Sequence, residues 1–191
     1  MKAVIASIAL PLLAAAAPAP AATPSAANPP AFGVMSVRSA SPIHYMQMNA
    51  AGQKFYLGGT TASYCPSIDG IVCPLVTRPF SLQADVEVPG GQQVYVDPTG
   101  ALSFTQAHSA SIPAGSAVGG LVYETGQPWS HYSFNGWGAQ GFMACPTTDN
   151  RWQVFAAMQN ATVPSGDVAD CLGFSAIALT YSGDIPAWQY I

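Results

Sequence analysis

Charged side chains are scarce in this chain of 191 residues, since Asp, Glu, Lys and Arg together make up 7% of it, against about 25% in typical soluble domains. The five basic residues stand singly along the chain and are outnumbered by nine acidic ones. A protein that follows a phosphate backbone needs a stripe of basic side chains. We therefore expect no nucleic-acid partner, and we expect hydroxyl and amide groups to wet most of the surface.

Long apolar runs are missing as well. The apolar run that follows Met1 and Lys2 ends in small residues, which is the order typical of a secretory signal peptide. A membrane span needs about 20 apolar residues, so we expect no membrane segment. We predict a signal peptide over residues 1–21, a disordered Ala/Pro-rich spacer over residues 22–31 and a single domain over residues 32–191.

Cysteine is limited to four residues. In an exported chain four cysteines predict two disulfides, for which three connectivities are possible. The short separations in sequence favour the pairs Cys65–Cys73 and Cys145–Cys171, each worth about 2 to 4 kcal/mol in the chain-entropy model. The spacings do not match a zinc finger, so we expect neither a metal nor another cofactor.

Helical periodicity is hard to find, and from Phe32 onward short stretches alternate apolar and polar residues between turn residues. This pattern is typical of all-β domains. Three hairpins are predicted, and their paired strands are residues 44–48 with 54–57, 93–96 with 102–105, and 141–145 with 152–156. The loops of the first two are residues 49–52 and the Asp-Pro-Thr-Gly turn at residues 97–100. Residues 171–181 supply one long strand or two short ones.

The pattern favours a single disulfide-stapled β-sandwich or barrel-like domain. Residues 52–57 and 91–96 share their order of residue types. Such a match hints at an internal repeat of about 40 residues. A β-trefoil is therefore the alternative fold.

Candidate catalytic residues are few. His44 is expected in a strand, His108 at the end of one and His131 in a loop, and none belongs to a known catalytic motif. Asp85 and Glu87 would share one face of a strand, as a glycosidase pair could, although an exposed strand edge kept soluble by charge explains them equally. We predict no catalytic residue.

An aromatic cluster gives the clearest indication of a ligand. Trp129, Tyr132, Phe134 and Trp137 lie in a segment rich in Gly, Ser and Asn. Aromatic faces on a loop can stack on sugar rings, which makes Trp129, Tyr132 and Trp137 candidate saccharide contacts. The alternative is that the same rings fold inward and cap one end of the core.

A glycosylation sequon is also present. Asn160-Ala161-Thr162 matches the acceptor pattern for N-glycosylation in an exported chain. We predict a glycan on Asn160, which must then face solvent.

Six segments stand out by their order and spacing, namely residues 34–44, 91–115, 141–146, 152–157, 160–164 and 170–174. Together they resemble the PhiA family of fungal cell wall proteins. The resemblance covers nearly the whole chain after the leader, and its departures are the Ala/Pro-rich stretch and the length of the loop between the first two cysteines.

The resemblance implies a secreted, wall-associated, non-enzymatic glycoprotein needed for asexual development, in phialide and conidium formation, with a role in stress protection. Some relatives are IgE-binding mould allergens. It also implies the same four cysteines and the sequon at Asn160, with wall polysaccharide or other wall proteins as partners. Two alternatives stay open: a carbohydrate-binding module for glucan or chitin, and a wall-modifying hydrolase that uses Asp85, Glu87 or a histidine.

Overall fold

The computed structural model describes residues 30–70, 73, 86–180 and 187–191. Within this part of the chain the regular structure is all strand apart from two 3₁₀ turns, Gly136–Gly138 and Val168–Asp170. The all-β prediction is confirmed. The strands are β1 (Phe32–Val37), β2 (Met48–Ala51), β3 (Lys54–Leu57), β4 (Ser63–Tyr64), β5 (Val94–Val96), β6 (Leu102–Phe104), β7 (Leu121–Glu124), β8 (Ser130–Phe134), β9 (Phe142–Pro146), β10 (Trp152–Ala156), β11 (Leu172–Thr180) and β12 (Gln189–Tyr190).

The predicted signal peptide and most of the predicted spacer lie outside the described residues. Among the residues described, no helix has the length and apolar character needed to cross a membrane.

Six antiparallel strands pair in a ring that nearly closes on itself. The pairings run β2–β3–β10–β9–β11–β1, and β1 meets β2 again through an isolated bridge between Met35 and Gln47. Ser36 strengthens this contact, because its N–H donates to the Met46 carbonyl at 2.9 Å and its carbonyl accepts the Tyr45 N–H at 2.9 Å. The architecture is therefore the barrel-like one of the predicted alternatives.

The long strand β11 joins this ring to a second group of strands. Its first residues pair with β9, and its later residues pair with both β1 and β8. Strand β8 pairs in turn with β7. Strand β8 is thus attached to the ring along an edge of β11, which places the predicted aromatic segment beside the ring.

The hairpin β5–β6 forms as predicted around the Asp-Pro-Thr-Gly turn. The Gly100 N–H donates to the Asp97 carbonyl at 2.8 Å, and the Asp97 carboxylate accepts the N–H groups of Thr99 at 2.9 Å and Ala101 at 3.2 Å. The same carboxylate pairs with the ammonium group of Lys54 on β3. Asp97 therefore both shapes the turn and attaches the hairpin to the ring.

The first predicted hairpin is present, but its turn lies further along the chain than the sequence pattern predicts. Strand β2 continues to Ala51, and the turn consists of Gly52 and Gln53, both with φ of +59°. Two central residues with positive φ form the turn whose twist suits a two-residue hairpin. The loop predicted at residues 49–52 is wrong because Ala50 is fully buried and pairs with Phe55. His44 consequently lies in the turn before β2 and not in a strand.

The suspected internal repeat is not a structural repeat. Residues 52–57 form the turn and second strand of one hairpin, whereas residues 91–96 lead into the first strand of another. Segments in such different positions are not copies of one unit. The β-trefoil alternative is wrong.

A second, smaller apolar cluster lies outside the main core. Residues 157–171 cover the outward side chains of β9 and β10, among them Met143, Cys145 and Phe155. The disulfide Cys145–Cys171 fixes the end of this covering segment to β9. The other predicted disulfide, Cys65–Cys73, also forms.

Candidate saccharide-contact face

The predicted aromatic cluster falls into two halves, because Tyr132 and Phe134 lie on β8 whereas Trp129 and Trp137 lie on either side of it in the chain. Tyr132 and Phe134 point inward and are 4% and 0% exposed, whereas Trp129 and Trp137 are 54% and 46% exposed. His131 lies on the outward side of this strand, so the prediction that it lies in a loop is wrong. The two tryptophans face solvent before and after β8.

Tyr132 belongs to the core. Its ring centroid lies 5.4 Å from that of Phe32 and 5.3 Å from that of Phe142. Burial raises the pKa of its hydroxyl, which has no hydrogen-bond partner among the described residues. A saccharide cannot reach this ring, so the prediction of Tyr132 as a saccharide contact is wrong, and the inward alternative applies to Tyr132 and Phe134.

Trp137 has an unusual backbone for its size. It lies between two glycines in the 3₁₀ turn with φ of +53° and ψ of +25°, a left-handed conformation that costs a residue with a Cβ roughly 1–2 kcal/mol. Glycine or asparagine normally occupies such a position. The indole contacts the Phe134 ring edge-on at 5.8 Å between centroids. The turn therefore holds a half-exposed tryptophan where the backbone alone would favour a smaller residue.

An open groove of about 530 Å³ lies beside this turn. Hydroxyl, amide and ionisable side chains from β7, β8, β11 and the loop after β8 line it, namely Glu124, His131, Ser133, Asn135, Gln140 and Ser175. The Gly141 N–H donates to the Phe134 carbonyl at 2.9 Å and so closes the loop that carries Trp137. We call this groove together with Trp129 and Trp137 the β8 face.

Three residues of the β8 face form an acid, histidine and hydroxyl row. Glu124 is paired directly opposite His131, and Ser175 Oγ lies 3.5 Å from His131 Nδ1. This distance is at the limit of a hydrogen bond, and all three residues are exposed, so water competes for each group. The row is better suited to hydrogen bonding with ligand hydroxyls than to activating a serine nucleophile.

The other candidate catalytic residues lie elsewhere. His44 is in the turn between β1 and β2, and His108 is exposed in a turn after β6 with φ of +60°. Glu87 is exposed, and its N–H donates to the Ala187 carbonyl at 3.2 Å. Asp85 lies outside the described residues, so its pairing with Glu87 stays a prediction. Within the described part of the chain, no group of three or more His, Cys, Asp or Glu residues could hold a metal ion.

The predicted glycosylation site lies on the segment that covers the second apolar cluster. Asn160 is exposed in a turn after β10. Its neighbours are anchored, because Ala161 packs against that cluster and the Thr162 N–H donates to the Thr99 carbonyl at 2.8 Å. The sequon is therefore held in place with its asparagine side chain open to solvent.

Several polar residues of the β8 face were not among the candidates predicted from the sequence. Period-two alternation continued from Trp129 through His131 reaches Ser133, so the pattern could have identified that residue. Gln140 and Ser175 gave no such indication, because their place in the groove depends on the pairing of β8 with β11.

Taken together, the fold is a disulfide-linked, barrel-like β domain with an exposed aromatic and hydroxyl-rich face. The chain belongs to the PhiA-like secreted protein family, whose family model matches residues 32–191. An uncharacterized secreted protein of Arthroderma benhamiae is similar to it, with 46% identity over 199 residues that cover 100% of both chains. Comparison with solved structures found no match.

Proposed function

We propose that this protein is a secreted, non-enzymatic glycoprotein of the fungal cell wall that serves in asexual development, and that it attaches to wall polysaccharide through the β8 face. Membership of a secreted family supports export. The wall location and the developmental role rest on the resemblance described above. Polysaccharide attachment rests on the structure of the β8 face.

The observation that carries the proposal is the exposure of Trp137 at a left-handed backbone position. Strain of this kind is kept at functional sites when the surrounding structure holds it. A flat indole with one exposed face can stack on a sugar ring. The neighbouring Ser133, Asn135 and Gln140 offer donors and acceptors for sugar hydroxyls.

Binding of the purified protein to insoluble chitin and β-1,3-glucan tests the attachment. We expect Trp137→Asn to weaken binding about two- to tenfold, the amount that one aromatic stacking contact is worth, and to leave the fold intact because asparagine tolerates positive φ. Tyr64→Ala is the matched control, since Tyr64 is 49% exposed on the separate strand β4. Equal binding by wild type and Trp137→Asn would contradict the proposal.

Complementation of a deletion strain tests the developmental role. Wild type and Tyr64→Ala should restore the number of conidia, and Trp137→Asn should restore fewer at equal secreted amounts. If Trp137→Asn restores the full number of conidia, the developmental role does not depend on the β8 face.

The second candidate function is a soluble carbohydrate-binding module, which the same β8 face favours. The two functions differ in where the protein resides. Fractionation of a culture should place a wall protein mainly with washed walls and a soluble module mainly in the medium. Release of reducing ends from wall polysaccharide by the purified protein would instead favour a hydrolase.

A further inference from the structure

We infer that Tyr45 is the centre of a second saccharide-contact site, so that each molecule contacts wall polysaccharide at two places. The inference rests on the proposed function, because it assigns the same class of ligand to a different surface. It goes beyond the β8 face, which lies on β7, β8 and β11, whereas Tyr45 lies in the turn between β1 and β2.

Tyr45 shares the two unusual properties of Trp137. It is 63% exposed, more than either tryptophan of the β8 face, and its φ is +62°. A bulky aromatic residue rarely adopts the left-handed region. The turn therefore presents a large aromatic ring to solvent from a backbone conformation that favours glycine or asparagine.

The ring of Tyr45 is held in position by its neighbour. The rings of His44 and Tyr45 stack with centroids 3.8 Å apart and an interplanar angle of 28°. His44 is itself fixed, because its Nδ1 accepts the Arg38 N–H at 3.2 Å. Since His44 covers one face of the tyrosine ring, the exposed area belongs to the other face and the edge. That open face is available for stacking.

The turn beneath this pair is rigid. Ser36 is fully buried, and its hydroxyl donates to the carbonyl of Ile43 and lies within hydrogen-bond distance, 3.1 Å, of that of Met46. Ile43 is also fully buried and belongs to the main core. A ring on such a turn loses little conformational freedom when a ligand binds, and this preorganisation favours binding.

A second groove, of about 450 Å³, begins at the residue after Tyr45. Gln47, Asn49, Thr60 and Thr61 contribute amide and hydroxyl groups to it. The Asn49 amide is oriented by the Thr61 hydroxyl, which donates to its Oδ1 at 3.1 Å. An exposed aromatic ring that is next in sequence to a groove with amide and hydroxyl groups fits a neutral sugar chain, which offers both a ring to stack and hydroxyls to bond.

Two contact sites on one molecule raise the retention on a polymer above that of either site alone, because the second contact forms at high effective concentration. The two grooves are lined by different segments of the chain, the second by residues 46–49 and 58–61 around β2 and the end of β3, and the first by β7, β8, β11 and the loop after β8. The two sites should therefore bind short oligosaccharides independently of each other.

The test uses the purified full-length secreted protein with chitin and β-1,3-glucan hexasaccharides in titration calorimetry and with the insoluble polymers in binding isotherms. We expect two hexasaccharides per protein in wild type, and in Tyr45→Asn and in Trp137→Asn we expect one of the two sites to bind about two- to tenfold more weakly while the other keeps its affinity. On the insoluble polymer each single variant should bind about two- to tenfold more weakly, and the double variant should be weakened by at least the product of the two.

Thermal unfolding of the same variants shows whether a loss of binding comes from a loss of folded protein. Tyr45→Asn should unfold at the same temperature as wild type or slightly higher, because asparagine relieves the left-handed strain; Tyr45→Gly gives an independent second variant. If Tyr45→Asn keeps both wild-type hexasaccharide affinities and the wild-type isotherm while Trp137→Asn loses affinity, the second site is wrong and the β8 face stands. If wild type binds neither polymer nor hexasaccharide, both proposals are wrong.

Discussion

The side-chain amide of Gln92 holds the backbone of Tyr190, 98 residues away in sequence. Its Nε2 donates to the Tyr190 carbonyl at 3.0 Å, and its Oε1 accepts the Tyr190 N–H at 2.7 Å. The same Nε2 donates to the Thr105 carbonyl at 2.8 Å. The amide thus replaces a strand partner and joins β12 to the β5–β6 hairpin. Gln92 is 4% exposed, so each of these bonds is shielded from water.

Replacing this amide should destabilise the fold strongly. Gln92→Met preserves the approximate size of the side chain but leaves a buried N–H and two carbonyls without this partner. Since an unsatisfied buried polar group costs about 1–3 kcal/mol, we expect a loss of about 3 kcal/mol in the free energy of unfolding. Urea denaturation measures it. Gln93→Met is the matched control, because the Gln93 side chain is exposed, and a loss equal to that of the control would contradict the role of Gln92.

The contact between Gln92 and Tyr190 is an example of a long-range interaction that cannot be predicted from the sequence. The β5–β6 hairpin was predictable because Asp97 and Gly100 meet the local demands of one turn. The bond from Gln92 depends on the closure of the whole domain, and neither residue carries a pattern that indicates the other. Long-range pairing of this kind follows from topology and not from local chemistry.

The predicted position of the turn between β2 and β3 was wrong for a different reason. Asn49 and two alanines read as a loop, because alanine contributes no alternation and asparagine favours turns. The pairing of β2 along β3 overrode that local preference. Similarly, the composition indicates the aromatic cluster, but the burial of Tyr132 follows from its place on the inward side of β8, and Trp129 faces solvent because it precedes that strand.

The pairing of Asp97 with Lys54 should make stability depend on acid pH. Burial alone would raise the pKa of the Asp97 carboxyl, but hydrogen bonds from Lys54 and Thr99 together with the Lys54 charge outweigh burial and lower the pKa below its ordinary value of 3.8. A carboxyl whose pKa is lowered by folding stabilises the protein fully above that ordinary value. Its contribution is lost as the pH falls from there through the lowered pKa of the folded state.

Asp97→Asn should reveal this contribution. We expect the variant to be less stable than wild type by about 2 kcal/mol at pH 7, because Lys54 loses a charged partner and the turn loses a carboxylate acceptor. The difference should shrink as the pH falls below 3.8. Thermal unfolding of both proteins between pH 2 and pH 7 measures it, and a difference that stays constant over this range would contradict the role of the charge.

The two disulfides should differ in what their removal does. Cys145–Cys171 closes a separation of 26 residues and Cys65–Cys73 one of 8. The chain-entropy model gives about 3.5 and about 2.5 kcal/mol for loops of these lengths. Replacing Cys145 and Cys171 together by alanine should therefore cost more, and it should also release the segment at residues 157–171 from the second apolar cluster.

Limited proteolysis distinguishes the release of residues 157–171 from a loss of stability of the whole domain. A protease that cuts beside aliphatic residues should cleave within residues 157–171 of the Cys145→Ala/Cys171→Ala variant under conditions where wild type is intact. The Cys65→Ala/Cys73→Ala variant is the control and should keep this segment protected, because its cysteines do not contact the second cluster. Equal cleavage rates in the two double variants would contradict the covering role of the segment.

Asn160 should carry an N-linked glycan when the protein is secreted from a filamentous fungus. The exposed asparagine lies in a turn whose following residues are anchored to Thr99 and to the second apolar cluster, so a transferase and later the glycan have free access. Treatment with an N-glycosidase should lower the mass of the wild-type protein by one glycan. Asn160→Gln and Thr162→Ala should both abolish the shift, since each destroys the sequon in a different way.

Thr162→Ala keeps the N–H that bonds to Thr99, so its free energy of unfolding should match that of the enzymatically deglycosylated wild type within about 0.5 kcal/mol. A wild-type protein whose mass does not change on treatment would show that the sequon is unoccupied.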